Sequence, residues 1–420
     1  MTTITAIDNI TLTTDQQTAL NAFWDFITDP VQTVFVLSGY SGCGKSTLVR
    51  VFLEQLPKFE QTMKLVDPAF KPKNVELTAT TNKAAENFSL ITGMDCTTIH
   101  SKLGLRVETD YKTGETKLIA NKNITVFNTI LFIDEASFID KSLLEMIFKA
   151  VKDCKIIFVG DPAQLSPPKS NKTPVFTAGF SGAALCEVVR QAADNPIIEL
   201  STLFRNTVNT GEWFDFKPDG HYIQHLSREN FTKEVEAEFM KPDWKYHDSK
   251  ILAWTNKRVI EFNHWLTDLK TGTPDFQVGD YAVCNSYLQV GKQSVKTDQT
   301  VLITAISPSF ERFGISGKNF TLDSRITAFM PDSMDEKNKL LKAARAVKNI
   351  EMIQAIEAWV DLRGAYAQTV NKAQGSTYGK VFIDLDDIGK CNNGDLLARM
   401  LYVAVSRARD NVYLTGDISA

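Results

Sequence analysis

The chain has 420 residues, 43% of them hydrophobic and 23% charged, the balance of a globular protein long enough for about two to four packed units. Lys and Arg total 46 against 50 Asp and Glu, a net charge of -4, so no global basic field draws in nucleic acid and any such binding rests on a local patch. No apolar run approaches the ~20 residues of a membrane span, and the N-terminus lacks the basic-then-apolar pattern of a secretion signal, which excludes the membrane and secreted classes.

In chain order, Val34-Phe35-Val36-Leu37 predicts a short strand that enters a glycine-rich turn and then a helix from about Ser46 to Leu56. Further strands are predicted at Val75 to Ala79, at Ile130 to Ile133 and at Ile156 to Val159. Short apolar runs separated by helices indicate a parallel sheet with covering helices. Between His100 and Thr129 the pattern breaks into Leu103, Leu105 and Val107, then a turn at Asp110 to Gly114, which predicts an inserted β-hairpin over about 101–128. Helical patterns return from Ile197 to Trp265 around one strand, Ile251 to Trp254, where Trp254 reads as a core aromatic. From Phe276 to Ile326, short strands with glycine and polar turns predict a small antiparallel, barrel-like unit. Met334 to Leu362 reads as one long charged helical segment with a solvated face. A strand at Val381 to Ile383, a helix at Leu396 to Arg407 and a strand at Val412 to Leu414 close the chain.

The predicted fold class is α/β, with a first lobe at 1–185, a second at 186–272 and 364–420, and a β-rich insertion with a projecting helical segment at 273–363. The six cysteines are scattered singly, without a CxxC pair. They read as reduced, mostly buried residues of a cytoplasmic protein rather than zinc ligands or a disulfide framework.

Two motifs carry chemistry on their own. Gly39-Tyr-Ser41-Gly42-Cys43-Gly44-Lys45-Ser46-Thr47 fits GxxxxGK[ST] between a strand and a helix. Its glycines let successive N–H groups turn inward at phosphate oxygens, and the helix N-terminus adds positive charge. Lys45 is predicted to reach the terminal phosphates, and the Ser46 hydroxyl to ligate Mg²⁺. Ile130-Leu-Phe-Ile-Asp134-Glu135 brings two carboxylates to the end of a buried strand, where open α/β sheets place ligands. Asp134 is read as the second Mg²⁺ contact and Glu135 as the group that activates the attacking water. Together they predict hydrolysis of a nucleoside triphosphate with Mg²⁺.

With these motifs in place, the chain resembles the superfamily 1 helicases, in particular the Dda and RecD-like group known from T4-type bacteriophages. Gly160-Asp161-Pro-Ala-Gln164, Glu187-Val-Val-Arg190-Gln and Leu401-Tyr402-Val-Ala-Val-Ser406-Arg407-Ala-Arg409 stand in the family's order. The resemblance implies two RecA-like P-loop lobes, with the hairpin inserted in the first and an SH3-like unit plus helix, closing over DNA as a clamp, in the second. It implies that Gln16 reads adenine and that Gln164 senses the γ-phosphate. Arg190 contacts phosphate, and Arg407 crosses from the second lobe to stabilise transition-state charge. It further implies nucleic-acid contacts at Thr80, Thr81, Asn82, Thr98, His100, Asn256, Lys372 and Ser376, with Gly375 close to the nucleotide. By itself His100 reads as a structural histidine.

The hairpin around Tyr111 is read either as a wedge that splits a duplex or as a plain surface hairpin. The activity implied is 5′-to-3′ translocation on single-stranded DNA and opening of DNA forks, by a monomer in a host cytoplasm. The implied setting is DNA replication or recombination, alongside a single-strand binding or replication protein. Two other readings stay open: a DNA-stimulated ATPase that displaces bound proteins, and an RNA-directed helicase, since telling the two nucleic acids apart requires contacts to the 2′-hydroxyl.

Overall fold

The computed structural model describes residues 11–109, 116–119, 124–166, 173–187, 195–291 and 293–418. The chain forms two compact units, 1–212 and 213–420.

The first unit is built on a six-stranded sheet in the order Ser181–Leu185, Val34–Gly39, Lys155–Gly160, Thr129–Asp134, Asn74–Ala79, Cys96–Thr98. Every neighbouring pair in it is parallel. Successive residues of a strand point to opposite faces, and each face has its own core. Phe132 and Ile157 join Phe23, Phe35 and Phe52 on one side, while Leu131, Ile133 and Phe158 join Leu143 and Ile147 on the other. Phe23 stacks flat on Phe52 with centroids 4.0 Å apart. Burial on both faces is why these strands read as continuous apolar runs. The register sets Ser38 beside Gly160 and Ala79 beside Asp134, so the loops that follow these four strands emerge along one edge of the sheet.

Arg106–Thr109 pairs antiparallel with Thr116–Ile119; the turn between them, with Tyr111, lies outside the described residues. The helix Pro196–Thr210 also belongs to this unit. Ile197, Leu200, Phe204 and Thr207 are buried along it, and Arg205 lies over the Tyr40 ring, 3.8 Å from its centroid.

In the second unit a five-stranded sheet runs Ile223–Leu226, Ala408–Thr415, Tyr378–Asp384, Ser249–Ala253, Ala367–Thr369, again parallel throughout. Its core gathers Phe231, Phe239, Ile251, Leu266, Tyr366 and Phe382. Between Ser249–Ala253 and Ala367–Thr369 the chain builds an antiparallel sheet from Tyr281–Cys284, Thr300–Ile306, Phe310–Arg312, Ile315–Leu322, Ile326–Pro331 and Leu362–Gly364.

Two expectations are corrected here. The segment from Met334 is two helices, Met334–Ala346 and Ile350–Glu357, and not one projecting helix. Lys348 takes a left-handed φ of 53°, and the Asn349 side chain accepts from the Met352 N–H to start the second helix. Leu340, Leu341, Met352 and Ile353 then fold onto Phe329, Ile356 and Trp359, so the pair is anchored to the β-rich unit by its apolar faces. Trp254, in turn, is half-buried just past the end of its strand, and its backbone N–H donates to Asp387; the tryptophans packed against that core are Trp244 and Trp265.

Candidate nucleotide site and nucleic-acid surface

The loop after Val34–Gly39 turns tightly. Gly42 and Gly44 sit at φ 87° and 76°, where a Cβ meets steric resistance, and the Cys43 N–H returns to the Tyr40 carbonyl at 3.2 Å. Gly44 opens the helix Lys45–Val66 without a side-chain cap, which leaves first-turn N–H groups without intrahelical partners, the arrangement that receives an anion. Lys45 Nζ donates to the Gly39 and Tyr40 carbonyls at 2.7 and 2.9 Å. An ammonium carries three N–H groups, so Lys45 is held at the mouth of the loop with one to spare. Ser41, Ser46 and Thr47 are half-buried on the same turn. The Cys43 side chain is fully buried, and burial pushes its thiol up, so it serves as packing.

Gln16 is buried at the start of helix Thr14–Thr28. Its Oε1 accepts from the Thr13 N–H, and its Nε2 donates to the Cys43 carbonyl at 3.1 Å. An amide has two donors and two lone pairs, so one of each remains while the residue ties the helix to the loop. Its neighbour Asp15 accepts from the Cys186 and Glu187 N–H groups at 2.7 and 3.1 Å, an anchoring role with no motif to announce it. Arg190 lies outside the described residues.

Asp134 and Glu135 close the strand Thr129–Asp134 one register step from the loop of Gly160. Burial, reinforced by the adjacent Glu135 charge, pushes the Asp134 carboxyl up to about 7, a group short of positive charge. Glu135 adopts a left-handed backbone at φ 53°, uncommon for a residue with a side chain. Thr80 holds that turn: its N–H donates to the Asp134 carbonyl at 3.2 Å and its hydroxyl to the Glu135 carbonyl at 3.0 Å. Thr80 was expected to meet nucleic acid; it is buried, and its hydroxyl donates to the Glu135 backbone carbonyl. Asp161 and Gln164 are buried on the next loop, with Gln164 Nε2 3.4 Å from Asp161 Oδ2.

The remaining expected nucleic-acid contacts are dispersed. Thr81 and Thr98 cap short helices by accepting from the Ala84 and Ser101 N–H groups, and Asn82 follows Thr81 half-buried. His100 is half-buried, and burial pushes its pKa down, which keeps the ring neutral and fits its structural reading. Asn256 is exposed at the first turn of the helix Asn256–Thr271.

In the second unit Gly375 turns at φ 78°. Ser376 is buried, and its carbonyl accepts from Arg407. Lys372 Nζ is likewise engaged, by Asn285 at 2.9 Å and Asp298 at 2.8 Å, both in the β-rich insertion. Arg407 is buried: its Nη1 donates to the Ser376 carbonyl at 3.1 Å, its Nε to the Val403 carbonyl at 3.2 Å and its Nη2 to the Ser406 hydroxyl at 2.8 Å. Among the described residues no carboxylate pairs with it, and two of its five N–H groups remain.

A glycine loop, an acid pair and a Gly-Asp-Pro-Ala-Gln turn along one edge of a parallel sheet define a P-loop nucleotide-binding protein. The chain belongs to the AAA domain family, whose model matches residues 11–227, and residues 364–415 match the UvrD-like helicase C-terminal domain. Uncharacterized protein R530 of Acanthamoeba polyphaga mimivirus is 22% identical over 95% of this chain and 98% of its own. The RecBCD enzyme subunit RecD of Buchnera aphidicola is 28% identical over 42% of this chain and 31% of its own. Among solved structures, a Pif1 helicase studied in DNA unwinding at forked duplexes superposes with TM-score 0.54 and 17% identity, covering 97% of this chain and 92% of that one. Pif1 from Bacteroides in complex with ADP-AlF3 and single-stranded DNA gives 0.52 and 15%, covering 98% and 94%. The fold is therefore the two-lobe, RecA-like α/β fold seen in these Pif1 structures.

Proposed function

We propose that this chain is an ATP-dependent DNA helicase of the Dda and RecD-like group, which moves 5′ to 3′ on single-stranded DNA and opens forks. The observation that carries the reading is the edge of the first sheet, where Lys45, held with one N–H free, follows one strand and Asp134, pushed up by burial, ends the next strand but one. The residues present suit ATP with Mg²⁺: Ser46 and Asp134 hold the metal, which when bound neutralises phosphate charge. Gly39, Ser41, Gly42, Cys43, Gly44 and Thr47 line the phosphates, and Lys45 binds the terminal ones. Glu135 takes a proton from the attacking water, and Gln164 reports the γ-phosphate. Gln16 reads adenine with its remaining donor and lone pair, with Gly375 close to the nucleotide. Arg190 and Arg407 supply transition-state charge, a role worth about 10³–10⁵ in rate in related systems; the acid-free environment of Arg407 supports it.

Thr81, Asn82, Thr98, His100 and Asn256 contact the strand, joined by Lys372 when DNA phosphate replaces Asp298. The enzyme acts as a monomer in the cytoplasm of a phage host during replication or recombination, beside a single-strand binding protein. Strand separation on matched duplexes with a 5′ or a 3′ single-stranded tail tests the reading. Opening from the 5′ tail alone is expected. Opening from the 3′ tail alone would remove the polarity, and no opening despite DNA-stimulated hydrolysis would replace the helicase with a protein-displacing translocase.

A further inference from the structure

One cation at the phosphate loop belongs to no motif. Arg205, on the helix Pro196–Thr210, lies flat over Tyr40, its guanidinium carbon 3.8 Å from the ring centroid. Tyr40 is the residue whose carbonyl holds Lys45 Nζ at 2.9 Å. The Arg205 Nε–H is buried and meets no acceptor, an uncommon state for a buried donor. Among the described residues Arg205 has neither a carboxylate nor a hydrogen-bond partner, although most buried or half-buried arginines in this chain have one, such as Arg258 with Asp384 at 2.6 Å. Burial pushes the Cys43 thiol up; Lys45 and Arg205 oppose that shift and the Asp161 carboxylate adds to it, so both cations act on the same loop.

A guanidinium fixed by stacking, without an ion-pair partner among the described residues and set beside a phosphate-binding lysine, is preorganised for an anion. We infer that Arg205 is a nucleotide-phosphate contact supplied by the first unit itself, and that Tyr40 is its positioning residue. This rests on the nucleotide-site reading above and deepens it: the ligand class is the phosphate chain of a nucleoside triphosphate. The pairing is a property of the residues at 40 and 205 together. Tyr40 presents an aromatic face where the loop pattern accepts any residue, so the glycine-loop motif does not disclose it.

The test is equilibrium binding of a non-hydrolysable ATP analogue with Mg²⁺ to the full chain, read without turnover, beside thermal unfolding without nucleotide. Arg205→Met keeps the length and apolar stem of the side chain, and it should weaken analogue binding about 10-fold or more, as expected for a lost charge-assisted contact. Arg205→Lys should recover only part, because an ammonium lacks the planar fork. Tyr40→Ala should weaken binding several-fold, while Tyr40→Phe, which keeps the stacking face, should bind like wild type. The gap between wild type and Arg205→Met should narrow with added salt.

Wild-type analogue affinity in Arg205→Met would overturn the inference and make Arg205 a strut between helix and loop. If Arg205→Met fails to fold, an unchanged affinity in Tyr40→Ala overturns it equally. Lys45→Ala separates the two levels. Retained binding there would sink the nucleotide site itself, whereas lost binding there with none lost at Arg205 would sink only this inference.

Discussion

Both units lay down a parallel sheet, and both carry an aspartate at the C-terminal end of a central strand. In the second unit that residue is Asp384, almost fully buried, with Arg258 Nε on its Oδ2 at 2.6 Å. The same guanidinium reaches Glu261 at 3.0 Å and stacks over Phe262. In the first unit it is Asp134, beside another carboxylate and, among the described residues, with no arginine paired to it, its carboxyl pushed up to about 7 by burial and by Glu135 against the opposing charge of Lys45. The topology is shared and the electrostatics are opposite. A strand-end acid provided with its own cation is scaffold; one left short of charge is a place for a metal and a nucleotide.

Four substitutions break or sharpen that contrast. Lys45→Ala should have the largest effect, lowering ATP turnover at least about 100-fold by removing a preorganised cation, with phosphate release as the measurement. Arg258→Ala strands a buried carboxylate and should cost the second unit about 3 kcal/mol in denaturant unfolding; a cost near zero would mean that the Asp384 pairing is not scaffold.

Asp134→Asn should act in the other direction. The wild-type carboxyl is raised from 3.8 to about 7 on folding, so its contribution to stability is fully present below about pH 4 and is lost as pH rises through about 7. Metal-free wild type should therefore lose thermal stability across that window, and the asparagine variant should lose less. Equal slopes would show that Asp134 titrates normally. Thr80→Val should be the mildest, about 1 kcal/mol for one hydroxyl bond to the Glu135 carbonyl.

How far the sequence could be read follows from the same physics. The strands ending at Gly39, Asp134 and Gly160 were legible because burial on both faces makes continuous apolar runs, and because each ends in residues with chemistry. The helix break at Lys348 and Asn349 was not legible: charged residues surround it, and its cause is one left-handed residue and one cap. Thr80 reads as a nucleic-acid contact from motif position, and only the register of its strand beside Asp134 turns its hydroxyl to the Glu135 backbone carbonyl. Lys372 shows the same limit, since its partners Asn285 and Asp298 come from the insertion, far along the chain. Arg205 carries no local signal at all; its meaning lies in a ring 165 positions earlier (205 minus 40).

The most direct measurement of the central claim is ATP hydrolysis with and without single-stranded DNA, in wild type and in Glu135→Gln. The account predicts stimulation by DNA in wild type and, in the variant, retained ATP binding with hydrolysis nearly abolished. Hydrolysis indifferent to DNA, or unchanged in Glu135→Gln, would contradict it.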